Sequence, residues 1–163
     1  MNEVRELVVV VADAEDRILI INSGDNGDCD DLPRRSFVGD TPQRWTPRVL
    51  GETTGIWLEQ IEGAAVLPYN DPFRLTLDRP WMSCIQTLVR LPGKGEEVLE
   101  RFPGPHGLER RFVEVEQFLR HTSWGHHSHA MTGFALLRVL RELGYELKLE
   151  KKELGRWTGQ NKE

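Results

Sequence analysis

Two apolar stretches near the start of the chain, Val4 to Val11 and Arg17 to Ile21, constrain its fold more than any other feature. They flank the polar turn Ala12-Asp13-Ala14-Glu15-Asp16 and read as two strands. Ser23 to Asp31, rich in Gly, Asn and Asp, reads as a loop, and Leu32 to Val38 as a short extended piece. Thr41 is a good helix cap and Pro42 suits the first helical turn, where its missing N–H costs nothing. The helix that follows is expected to run to about Thr53 and stop at Gly55. Pro47 and Gly51 weaken it, so a helix kept there follows an inherited fold rather than local propensity.

Further along, Ile56 to Leu67 and Trp81 to Leu91 read as strands, separated by an insertion from Pro68 to Pro80. Arg111 to Val115 is another strand, followed by the polar-apolar segment Gln117 to His121, and Phe102-Pro103-Gly104-Pro105 is a turn. A last helix is expected from Ser128 to Leu143, with Ala130, Phe134, Leu137 and Leu140 as its core stripe. Strands interleaved with two helices give the α/β class, a mixed sheet in a sandwich. Residues 1–148 are expected to form one domain, with 149–163 as a charged, solvated tail.

The chain has 163 residues, 39% hydrophobic and 29% charged, enough for one domain with its own core. Its formal net charge of -5 argues against nucleic acid or an anionic membrane as the main partner, since both select for excess Lys and Arg. An anionic small ligand stays open, because a local basic pocket or a metal overrides the global sign. The apolar run Leu7 to Ala12 passes straight into Asp13, Glu15 and Asp16, unlike a secretory signal, and no stretch is long enough for a membrane span. Cys29 and Cys84 stand far apart and are expected to be reduced thiols in a cytoplasm.

The stretch LPRRSFVGDTPQRWTPRVLGETTGI, Leu32 to Ile56, resembles the box motif of the Nudix hydrolases. Laid without gaps on that pattern, Gly55 and Ile56 close the motif, Leu50 takes its inner apolar position and Arg48 its arginine. Asp40 stands for the isolated glutamate, flanked by Gly39, Thr41 and Pro42, while the opening glycine is replaced by Arg34. The resemblance implies a Nudix-type α/β/α sandwich with a mixed sheet. It also implies three helix carboxylates binding Mg²⁺ or Mn²⁺, where this chain has Val49, Glu52 and Thr53. One carboxylate could hold a metal weakly beside a diphosphate, but could not readily organise a two-metal cluster. Glu52 is therefore either a metal ligand or a plain surface carboxylate, and the resemblance makes Asp40 and Arg48 a brace between loop and helix.

Four of five histidines fall in HTSWGHHSH: His121, His126, His127 and His129. In the GDP-mannose mannosyl hydrolases, a branch with an altered box, a loop histidine acts as base. His127 is similar in placement, with His126 as its neighbour, and a ring that titrates near neutrality suits that role. Solvated helix-start histidines and a zinc site through His126 and His129 are the other readings. Arg34, Arg48, Trp124 and His129 are the candidate substrate-binding residues, with Trp124 or Trp81 able to stack on a nucleobase. Arg101, Arg110 and Arg111 either meet phosphates or form a solvated charged loop.

Two functions follow, beside a third in which the same scaffold runs a different reaction, because fold does not fix chemistry. One is a hydrolase of nucleoside-diphosphate-linked metabolites, with Glu52 on the metal and His127 or His126 as base. The other is a Nudix-fold module that keeps a nucleotide-like small molecule or a protein partner and has lost hydrolysis; a homodimer is compatible with either. Glu52 and His127 facing one cleft would favour the enzyme. Glu52 turned to solvent would favour the module.

Overall fold

A computed structural model of the chain describes residues 4–24, 30–38, 42–67, 73–74 and 82–121. Among the described residues, strand β1 (Val4–Ala12) is the axis of a seven-stranded mixed sheet. Along one edge it pairs in parallel with β6 (Met82–Arg90) over its full length, Val4 opposite Met82 through Ala12 opposite Arg90. Its other edge is shared. β3 (Arg34–Val38) runs antiparallel along the first half, and β2 (Ile18–Asn22) turns back beside the end, Ala12 opposite Ile18. β7 (Glu109–Val113) extends the sheet beyond β2, and β4 (Ala65–Leu67) and β5 (Phe73–Arg74) pair with β6.

Alternation sorts the strands into two apolar faces. Leu7, Val9, Val11, Leu19, Val89 and Phe112 form one core with Val49, Leu50 and Ile56. Val8, Val10, Ile18, Ile20 and Leu88 point the other way and are equally buried. A chain with both faces covered needs unbroken β-branched runs, which accounts for Val8-Val9-Val10-Val11.

Helix α1 (Pro42–Thr54) matches the sequence expectation closely. Thr46, Val49, Leu50 and Thr54, spaced at three to four residues, are its fully buried stripe. Burial of that stripe offsets the hydrogen bond that Pro47 cannot make. Gly55 ends the helix in the left-handed region at φ 81° and donates to the Gly51 carbonyl; a side chain there would also strike the Pro103 carbonyl oxygen.

One expectation needs correction, and two helices add to those expected. Ile56 to Leu67 is not a strand: Leu58–Gln60 forms a 3₁₀ turn, and only Ala65–Leu67 joins the sheet. Ile56 and Leu58 plug into the core under α1, and their neighbours bond back three residues, Gln60 N–H to Trp57 O and Ile61 N–H to Leu58 O. Gly95–Arg101, read as no element at all, is helix α2, with Val98 and Phe102 at its apolar contact. Gln117 to His121 belongs to a third helix, α3 (Val115–His121), whose Phe118 is buried. The expected helix Ser128 to Leu143 and tail 149–163 lie outside the described residues. No helix among those residues is long and apolar enough to cross a membrane.

The β1–β2 turn and α2 are locked by a buried carboxylate. Asp13, with a side chain that is 0% exposed, accepts from the backbone N–H of Glu15 and Arg17, as an Asx turn does. It also accepts from Gly95 N–H at 3.0 Å, in the first turn of α2, and from the Arg17 guanidinium at 2.8 Å. Arg17 in turn holds Glu96 through two bonds of 2.5 and 2.6 Å. That contact draws the Glu96 carboxyl down to about 2 and, with Asp13, raises the Arg17 guanidinium above its ordinary value.

Candidate functional site

Because α1 buries residues 46, 49, 50 and 54, the opposite side of the helix carries Arg44, Arg48 and Glu52 at successive four-residue steps. β3 brings a further charge. Arg35 lies opposite Leu7, on the sheet face that α1 covers, whereas Arg34 lies opposite Val8 and so faces away.

Glu52 sits between two arginines. The Arg48 Nε donates to its Oε1 at 2.7 Å, and Arg35 donates to its Oε2. The Arg48 guanidinium also lies 4.9 Å from the centroid of the Trp45 ring, a cation–π contact that limits its freedom. Glu52 is thus a surface group of α1, 31% exposed, and both oxygens are occupied by guanidinium groups. The two positions that the box resemblance assigns to its other helix carboxylates are closed. Val49 is 0% exposed and part of the core, and the Thr53 hydroxyl donates to the Val49 carbonyl at 2.5 Å.

Among the described residues the donor set does not fit a divalent metal. A hard cation needs several oxygen ligands, and here one carboxylate competes for two cations already beside it. Among the described residues no group of three or more His, Cys, Asp or Glu side chains comes together.

Among the described residues the other sequence candidates, Arg48 excepted, stand apart from Glu52. Arg34 pairs with Glu6 at 3.2 Å and Asp31 at 3.0 Å, away from Glu52. Arg48 pairs with Glu52; Asp40, its expected partner, lies outside the described residues, as do Trp124, His126, His127, His129 and Trp81. His121 closes α3. The three arginines near the 102–105 turn serve structure. Arg101 donates to Gln60 O at 2.6 Å, and Arg111 pairs with Asp30 at 2.7 Å. Arg110 donates to the carbonyls of Thr54 at 2.9 Å and Leu99 at 3.3 Å, so it caps the end of α1 and ties it to α2. Burial pulls its guanidinium below the ordinary value.

Sequence reasoning missed Arg35. The signal was present, since in the Arg34-Arg35 pair a strand must send one arginine to each face. A hollow of ≈ 40 Å³ on the far side of the sheet, lined by Ile20, Asp30, Arg111 and Phe118, has room for little more than water.

No family model matches the chain, and no curated protein matches it in sequence. Solved structures do. A Nudix hydrolase of M. smegmatis, RenU, is similar with a TM-score of 0.57 at 12% identity, over 90% of this chain and 89% of that one. The NUDIX domain of Shewanella oneidensis NrtR, solved with ADP ribose, is similar with a TM-score of 0.54 at 10% identity, over 85% of this chain and 88% of that one. A candidate oxidoreductase of Sinorhizobium meliloti 1021 is similar with a TM-score of 0.54 at 12% identity; 90% of this chain spans 42% of that longer one.

Proposed function

The chain has the Nudix fold, and we propose that it uses it to bind a nucleotide-like small molecule without metal-dependent hydrolysis. The observation that carries this reading is Glu52. The one carboxylate left at the three helix positions of the resemblance is held by Arg35 and Arg48, with buried Val49 and a backbone-bonded Thr53 beside it. Activating water on a diphosphate needs a metal cluster that such a helix face does not favour. Binding needs only a pocket and complementary charge, and the NUDIX domain of NrtR, solved with ADP ribose, shows a ligand class that this scaffold can accept.

The competing reading is a hydrolase with Glu52 on Mg²⁺ or Mn²⁺ and His127 or His126 as base. One experiment separates the two. The protein is incubated with nucleoside diphosphate sugars, dinucleotides and nucleoside triphosphates plus Mg²⁺ or Mn²⁺, and phosphate and free sugar are followed beside a Glu52→Ala control. The expected result is saturable binding of at least one compound with no turnover. Metal-dependent turnover that disappears in Glu52→Ala would overturn the proposal, and release of free sugar would direct attention to His127.

A further inference from the structure

We draw no further inference here: the strongest candidate, the outer edge of strand β4 with its exposed Val66, is a strand of only 3 residues, and nothing in the structure shows what covers it.

Discussion

The indole of Trp57 rests against the backbone of Gly51, so close that a Cβ on Gly51 would lie 2.2 Å from two of its ring carbons. A glycine in the last turns of a helix costs about 1 kcal/mol relative to alanine. Here the loss is accepted because the chain after Gly55 folds back and lays the Trp57 ring over the helix.

Gly51→Ala should therefore lower stability by about 1–2 kcal/mol despite the better helix former, because the ring must move. In a Trp57→Leu background the same substitution should be neutral or stabilising by up to about 1 kcal/mol. Denaturant melts of the four proteins in this cycle check the reversal of sign.

Val49 occupies the position where the box resemblance expects a carboxylate, and it is 0% exposed in the core beside Leu7 and Val9. Val49→Glu should cost about 3 kcal/mol or more, because nothing apolar around it can pair the charge. Restoring the motif with Val49→Glu and Thr53→Glu should give a destabilised protein and no Mg²⁺-dependent phosphate release. Turnover by that double variant would show that the helix can rotate its buried stripe outward.

The clamp between Asp13, Arg17 and Glu96 predicts an acid response. The folded-state value of Glu96, about 2, lies below the ordinary 4.5. Its contribution is therefore complete above about pH 4.5 and is lost as pH falls through about 2. Glu96→Gln should flatten the stability profile in that window and lower stability at pH 7 by the same modest amount, since an exposed pair is worth little. Asp13→Ala should be severe at pH 7, about 3 kcal/mol, because it strands the buried Gly95 N–H and removes one of the carboxylates that Arg17 holds. Thermal melts from pH 2 to 7 distinguish the two.

The elements that could be read from sequence are those with local signals. α1 announced itself through Pro42 and Gly55, and β1 and β2 through apolar runs bounded by turn residues. α2 did not, because its seven residues carry little periodicity and its first turn is satisfied by Asp13, 82 positions earlier. Glu52 was identifiable as the residue to watch. Its state was not, since Arg35 reaches it only through the pairing of β3 with β1. Motif alignment gives the type of residue at a position, and the partner that pairs with it comes from elsewhere in the chain.

The split of Arg34 and Arg35 to opposite faces of the sheet has a consequence for how the fold is specified. Both faces offer carboxylates, Glu52 on one side, Glu6 and Asp31 on the other. A slip of β3 by one residue would refill only one of the two arginine places and carry the other arginine about 7 Å along the strand from its carboxylate. Electrostatics therefore proofreads this alignment only in part. The rest of the task falls to the entry of the strand, where Leu32 is fully buried, Asp31 trades two backbone bonds with Ile21, and Pro33 offers Val9 a carbonyl but has no N–H to give. The pair of charges nearest the candidate site is thus held true by an uncharged leucine and proline at its threshold.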